Sequence, residues 1–437
     1  MTLFCRSKLI KDGSWVLAGQ VGSALGVLVG IRVLTEYTPP QVYGAIILYI
    51  GAISLSLGTL VTPVSQAVIR YYPEYAEGRL RSFRACVYAV LAKRLLFYFL
   101  LLAFCFPLLS HFFEVSGAVV LLCSLLLLLD GLRSFEASIL NAAQKQKSYA
   151  LISLAEAWGR PFLAVLAVQQ LGVSVQTVLM AYALTSSIIL LCFYLVGKVE
   201  APQLESFAYR KDFFLRGKIA RYSLPLVPMA ALGWMNGLGD RYLIGGMLGL
   251  EEAGIYAAVY GLMSRPFLMA SGSVELTLRP HYNQLVAKKK HKEANNLLLK
   301  WLLLVVLVVG TGFGLIAFLD KQLIQLLLAE KYHGGLSLML WIAGGYVFLA
   351  ISDVFVKVCY AYGYTNRILM IQIVGAVLSL VAAIVGIHFY GVLGAAMAVP
   401  FYYAIMLVIT IIASKPNLTE GQKEESLEMS QLTKKAT

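Results

Sequence analysis

Charge is scarce in this chain. Of 437 residues only 14% are Asp, Glu, Lys or Arg, against 59% hydrophobic, and the mean hydropathy is +0.76. Soluble domains average about 25% charged and 45–50% apolar. A soluble globular protein and a disordered chain are therefore excluded. Cysteine is sparse too: Cys5, Cys86, Cys105, Cys123, Cys192 and Cys359. Five lie in or beside apolar stretches and none forms CxxC or a Cys/His pair, which excludes a disulfide framework and a thiolate metal site. The histidines, His111, His281, His291, His333 and His388, are scattered without metal-ligand spacing. No phosphate-binding Gly-rich loop, no Ser/His/Asp arrangement and no soluble segment large enough for an ATPase occurs. Energy for any transport is then expected from an ion gradient (H+ or Na+) or from the substrate's own gradient, with no cofactor. The N-terminal MTLFCRSKLIKDG lacks the apolar core of a cleavable signal, so the first helix is expected to act as its own insertion signal.

What is present is apolar length. A membrane-crossing helix needs about 20 apolar residues. Twelve windows qualify, near 14–35, 41–64, 85–109, 116–135, 149–170, 174–197, 219–246, 253–278, 297–319, 335–360, 367–389 and 391–413. An even count puts both termini on one side. The 36 basic residues outnumber 23 acidic ones, giving +13, and they are not spread evenly. Thirty fall in one set of alternate loops and the tails. Only Arg32, Arg241, Lys321 and Lys331 fall on the other side, and Arg160 and Arg265 lie inside spans. Positive charge marks the cytoplasmic side, so both termini are expected there, and the basic excess needs no nucleic-acid partner.

The halves repeat. Gly30, Arg32, Leu34, Gly44, Gly51 and Ser54 recur as Gly239, Arg241, Leu243, Gly254, Gly261 and Ser264, at an offset of 209 or 210. The stretch from Gln144 aligns with that from Gly363 at an offset of 219, placing Gly172 over Gly391. Six spans per repeat insert the same way up. The expected fold is thus an all-α integral membrane protein of about twelve helices in two six-helix bundles. A pseudo-twofold axis along the membrane normal would relate them, with a central cleft. The expected parts are an N-terminal bundle over 1–197, a polar cytoplasmic linker over 198–218, a C-terminal bundle over 219–413 and a polar cytoplasmic tail over 414–437.

Two large classes have two six-helix bundles. The major facilitator class carries a Gly-x-x-x-Asp-Arg-x-Gly-Arg-Arg-like loop after span two, and IRYYPEYAEGRLRSFR does not match it. In contrast, IRVLTEYTPPQVYGAIILY resembles the first hairpin of polysaccharide flippases. YSLPLVPMAALGWMNGLGDRYLIGGMLGLEEAGIYAAVYGL resembles the seventh-to-eighth helix region of lipid-linked oligosaccharide (O-antigen) flippases, through its Pro-x-x-Pro, Asp240-Arg241 and Ala-Gly-Ile-Tyr. Both groups belong to the multidrug/oligosaccharidyl-lipid/polysaccharide exporter superfamily. The resemblance implies a non-enzymatic, multi-pass protein of a bacterial cytoplasmic (inner) membrane. It would flip an undecaprenyl-type polyprenyl-diphosphate-linked oligosaccharide by alternating access. The implied partners are that lipid and, in the same pathway, a glycan polymerase and glycosyltransferases, with the flippase itself a monomer; the basic loops add anionic membrane lipids as an expected partner. Competing readings are a drug/cation antiporter of the same superfold and a membrane glycosyltransferase or polymerase. The outer loop near 319–334, with only Asp320 and Glu330, is short for a catalytic loop.

The charges not explained by orientation are the candidate site. Arg32 and Arg241 occupy equivalent positions near the outer ends of spans one and seven. Each is read either as a bidentate diphosphate ligand or as an Arg snorkelling to the interface. Arg160 lies mid-span, one turn after Glu156, before Pro161. The pair is either self-neutralising or a diphosphate-binding Arg beside a titratable coupling acid. Arg265 lies mid-span before Pro266 with no acid one turn away. Asp240, adjacent to Arg241, is expected to pair elsewhere, read either as a cation or proton site or as a helix-packing hydrogen bond. Glu275 is read as a partner for Arg279, and Asp353 and Lys357 as a self-neutralising pair. Asp130, Arg133 and Glu136 are read as loop contacts at the end of span four. The run KKKHKE at Lys288–Glu293 is read as a solvated face toward anionic head groups.

Overall fold

The computed structural model describes residues 2–75, 80–113, 116–195 and 213–436, and among these it contains helices and turns but no strand. The helices are α1 (Thr2–Tyr37), α2 (Pro40–Leu60), α3 (Thr62–Tyr75), α4 (Leu80–Phe113), α5 (Gly117–Ala142), α6 (Gln146–Leu171) and α7 (Val175–Leu195). They continue as α8 (Phe213–Ser223), α9 (Leu226–Met247), α10 (Leu250–Ala287), α11 (His291–Leu327), α12 (Leu336–Ala361) and α13 (Thr365–Ala436).

Nine stretches among the described residues are long and apolar enough to cross a membrane. One of them, Asn366–Ser414, holds two expected spans, because α13 bends back at Gly391 with φ +59 and ψ −142. That conformation favours glycine. Just behind it Gly386 and Gly394 meet so closely that a Cβ on either would strike the other's backbone. The remaining two expected spans are α9 and α10, whose hydropathy is diluted by Asn236, Asp240, Arg241 and Arg265. Among the described residues this all-α protein thus has twelve helical crossings. The large exposed hydrophobics, such as Phe97, Phe104, Leu303 and Phe318, belong to surfaces that meet lipid.

The chain divides into two compact units, Met1–Trp234 and Met235–Thr437. The linker expected at 198–218 lies largely in 196–212, outside the described residues. In the first unit α1 packs along α6 through a glycine stripe. A Cβ on Gly19 would lie 2.7 Å from that of Ala150, one on Gly22 2.5 Å from Leu154, and one on Gly26 2.9 Å from the Trp158 ring. Spacings of three and four put these glycines on one helix face. Their missing side chains let the two backbones approach, as membrane helices do where no hydrophobic force separates protein from lipid. The approach is close enough for the Trp158 indole to donate to the Gly22 carbonyl at 3.0 Å.

The sequence repeat has a physical counterpart. A Cβ on Gly30 would meet Pro161 at 3.0 Å, and one on Gly239 would meet Leu380 at 2.8 Å. Gly239 is Gly30 advanced by 209, and Leu380 is Pro161 advanced by 219. The aligned residues thus meet once in each unit, Gly30 of α1 with Pro161 of α6 in the first and Gly239 of α9 with Leu380 of α13 in the second. In the first unit α8 lays Leu215 and Ile219 against Val64, Val68, Phe83 and Val87 of α3 and α4. In the second, α12 meets α13 through Gly345 against Val399 and through Ser352 and Thr410, 3.1 Å apart.

Candidate functional site

In the first unit the charges gather into one network across α5 and α6. Arg160 donates to Asp130 and lies 3.1 Å from Glu156 Oε1. Arg133 donates from Nη2 to Glu156 Oε1 at 2.6 Å and approaches Asp130 through Nε at 3.6 Å. Ser186 of α7 donates to Asp130 Oδ1 at 2.6 Å, and the Arg160 guanidinium lies 5.2 Å from the centre of the Tyr182 ring. Asp130 and Arg133 are buried, not contacts of an exposed loop as expected from the sequence. Glu136 is buried as well and receives Arg84 at 3.4 Å. The reason lies in register: residues 130, 133 and 136 recur at helical spacing and turn one face of α5 inward. Two arginines and two carboxylates cancel, and each carboxylate has at least two donors. For Arg160 to grip a diphosphate, Asp130 or Glu156 must first give way.

Arg32, half-exposed on α1, is held by Glu36 one turn later. Its counterpart Arg241 is buried on α9. Position 245, which aligns with Glu36, is glycine, so Arg241 finds other partners. Its Nη1 donates to the Gly237 carbonyl at 2.6 Å, its guanidinium lies 4.3 Å from the Tyr260 ring centre, and Asp240 Oδ1 is 3.8 Å away. Asp240 accepts mainly from the Tyr256 hydroxyl, at 2.6 Å, and from the Arg241 amide, at 2.8 Å. Tyr256 and Tyr260 of α10 begin a run of ring contacts that passes to Tyr346 of α12 and on to Tyr403 and Tyr402 of α13. This tyrosine cage was not foreseen. Its signal, Tyr256 and Tyr260 one turn apart and the adjacent Tyr402 and Tyr403, was hidden by the interfacial belt into which membrane-protein tyrosines usually fall.

Lower on α10, Glu275 joins Arg279 at 2.9 Å and Lys357 of α12 at 3.2 Å. Lys357 therefore spends its ion pair on another helix and not on Asp353, contrary to the self-neutralising pair read from the sequence. One carboxylate of α10 thus serves two cations, and Asp353 makes no ion pair among the described residues. Asp353 instead lines a cavity of about 150 Å³ together with Glu275 and the buried Trp301.

Arg265 stands apart. It is exposed, and among the described residues it makes no hydrogen bond, ion pair or ring contact. It lies fifteen residues into α10, about 22 Å along the helix at 1.5 Å per residue. That is well within a hydrocarbon layer of about 30 Å. An unpaired cation at such depth costs at least about 2.5–3.5 kcal/mol if it faces lipid, so its surroundings must be wet or anionic. No group of three or more metal-ligating side chains occurs among the described residues.

With the geometry in view, the comparisons decide the family. Residues 39–336, more than half the chain, match a family described as polysaccharide biosynthesis protein. The chain belongs to that family. An uncharacterized membrane protein of Methanocaldococcus jannaschii is 23% identical over 93% of this chain and 84% of its own length. Among solved structures, the lipid II flippase MurJ in an inward closed conformation superposes with a TM-score of 0.70 at 14% identity, covering 94% of this chain and 90% of that one. A Vibrio cholerae MATE transporter, VcmN, superposes at 0.64 and 14% identity over 95% and 97%. A Pyrococcus furiosus transporter of the MOP superfamily, described as having a binding pocket of reverse polarity, does so at 0.59 and 14% over 93% and 97%. This polysaccharide biosynthesis protein thus has the fold seen in membrane transporters.

Proposed function

We propose that this chain is a flippase for a polyprenyl-diphosphate-linked oligosaccharide, a repeat unit of a surface polysaccharide such as O-antigen. It would carry that lipid from the inner to the outer leaflet of the cytoplasmic membrane by alternating access. The family and the shared fold with a lipid II flippase support a lipid-linked saccharide. The physics agrees: a diphosphate with several sugars cannot cross hydrocarbon unaided, while a polyprenyl tail can stay in lipid. The observation that carries the reading is Arg265, an uncommitted cation at membrane depth. Of the four arginines singled out, Arg32, Arg160 and Arg241 already have carboxylate, carbonyl or ring partners. A guanidinium suits a diphosphate through bidentate, charge-assisted bonds. The same free cation disfavours a cationic drug as cargo.

In this reading transport is coupled to H+ or Na+ through a carboxylate, with Glu156, Asp240 and Asp353 as the candidates, and both termini lie in the cytoplasm. Glycosyltransferases and a polymerase of the same pathway supply and consume the lipid. The test is flipping of a fluorescent polyprenyl-diphosphate oligosaccharide in proteoliposomes. Arg265→Ala is expected to slow it at least tenfold, and Arg265→Lys to restore part of the rate, as a point charge without the bidentate fork. Wild-type flipping by Arg265→Ala at equal protein density would sink the cationic-site reading.

A further inference from the structure

We propose that an open groove between the C-terminal part of α10 and the N-terminal part of α11 binds the phosphate head group of an anionic bilayer phospholipid. The groove holds about 550 Å³. Lys288 and Lys300 both line it, and among the described residues neither side-chain ammonium makes a hydrogen bond or ion pair. The one acid in the lining, Glu293, is occupied by Lys290 at 2.7 Å. The amides of Gln284 and Asn296 add neutral donors, and Leu278, Leu285 and Leu297 form an apolar, half-buried side. Uncompensated positive charge, amide donors and an apolar wall together fit a phosphate ester that carries hydrocarbon.

The depth fits as well. Helix α10 runs for 38 residues, about 57 Å, and α11 runs for about 42 Å from His291 to its kink at Leu319, so both outreach a hydrocarbon core of about 30 Å. The apolar run of α11, WLLLVVLVVGTGFGLIAFL, starts at Trp301, so Lys300 stands at its boundary, the level of phospholipid phosphates. Beside it Leu299, Leu303 and Leu307 form an exposed ridge at helical spacing, along which acyl chains can lie. A free phosphate would make no use of this ridge. A diphosphate in transit needs cations along the crossing, not at its edge. The occupant that matches is a resident phospholipid with net negative charge, and the site is independent of what the protein transports.

The test is native mass spectrometry of the full-length protein released from detergent, titrated with phosphatidylglycerol and, separately, phosphatidylcholine. The double variant Lys288→Gln/Lys300→Gln is expected to bind phosphatidylglycerol about thirtyfold more weakly, roughly five- to sixfold per lysine. Its phosphatidylcholine binding should be unchanged. Lys300→Arg should hold the lipid, and Lys292→Gln, in the same basic run but outside the groove, should change binding less than about twofold. If the double variant does not fold, Lys300→Gln alone carries the test, with a fivefold loss expected. Equal loss in Lys292→Gln would reduce the groove to diffuse surface attraction and overturn the proposal. So would undiminished binding by the lysine variants, or a wild-type protein that takes a polyprenyl diphosphate at this groove and ignores phosphatidylglycerol.

Discussion

The two units bring the same aligned residues together and surround them with different chemistry. Gly30 meets Pro161 and Gly239 meets Leu380. One residue before Pro161 stands Arg160, inside a network of four charges. One residue before Leu380 stands Ser379, whose hydroxyl meets the Ala376 carbonyl at 3.0 Å and Asn236 at 3.4 Å. Glu156 has Gly375 as its counterpart. The arginine that both units retain is treated differently too: Arg32 is answered by a carboxylate, Arg241 by a carbonyl and the faces of tyrosines. Beside this contact the first unit settles its buried charge with close opposite charge, whereas the second answers Arg241 with a carbonyl and a tyrosine ring and keeps Asp240 at 3.8 Å. An internal repeat therefore constrains which residues meet more tightly than it constrains what polar groups do beside the contact.

The largest expected effect follows from breaking the first unit's network. Arg160→Ala leaves Asp130 and Glu156 short of a cation in a buried setting, a loss of about 3–5 kcal/mol. Ser379→Ala, at the aligned position, removes one neutral hydroxyl and should cost about 1 kcal/mol or less. Unfolding of both variants in the same detergent, followed by temperature or denaturant, gives the difference directly. If Arg160→Ala costs no more than Ser379→Ala, the network is not the stabilising centre of the first unit and the contrast between units fails.

Most of the fold was legible because hydropathy length and loop charge report on single helices. Even α9 and α10, diluted by Asp240, Arg241 and Arg265, could be recognised as crossings. The site was legible only where partners are one turn apart. Glu156 with Arg160 is visible in this way, and so is Arg32 with Glu36. Asp130 meeting Arg160 across thirty residues was not, because it depends on how α5 rotates about its axis, and that rotation is set by packing. The same holds for Lys357, whose choice of Glu275 over Asp353 is made between helices. The tyrosine cage shows a different limit: an aromatic residue at the membrane boundary and one in the bundle interior have the same hydropathy.

A second comparison tests the shared contact itself. Gly30→Ala would set its methyl 3.0–3.1 Å from two carbons of the Pro161 ring, which cannot swing away. Gly239→Ala would set its methyl 2.8 Å from the Cδ2 of Leu380, the far end of a flexible side chain. Overpacking against rigid neighbours costs about 1–3 kcal/mol. Gly30→Ala should therefore be destabilised by that amount and Gly239→Ala by less than about 1 kcal/mol, as read from melting of the two variants. Equal losses would mean that the leucine is as confined as the proline.

The smallest effect is expected at Arg32, and it separates two roles. Its partner Glu36 is more than half exposed, with 54% of the side chain accessible against 35% for Arg32. Exposed pairs one turn apart are worth about 0.3–0.5 kcal/mol and weaken as salt rises. Glu36→Gln should accordingly lower stability by no more than that, a change near the limit of a melting curve. It would also release a guanidinium near the C-terminal end of α1. If Arg32 serves only as an interfacial anchor, Glu36→Gln leaves flipping unchanged. If it receives the diphosphate, removing the competing carboxylate should increase the affinity for the lipid-linked oligosaccharide severalfold, more at low salt than at high. No such gain is available at Arg241, where Gly245 offers no carboxylate to remove, so the repeat supplies its own control.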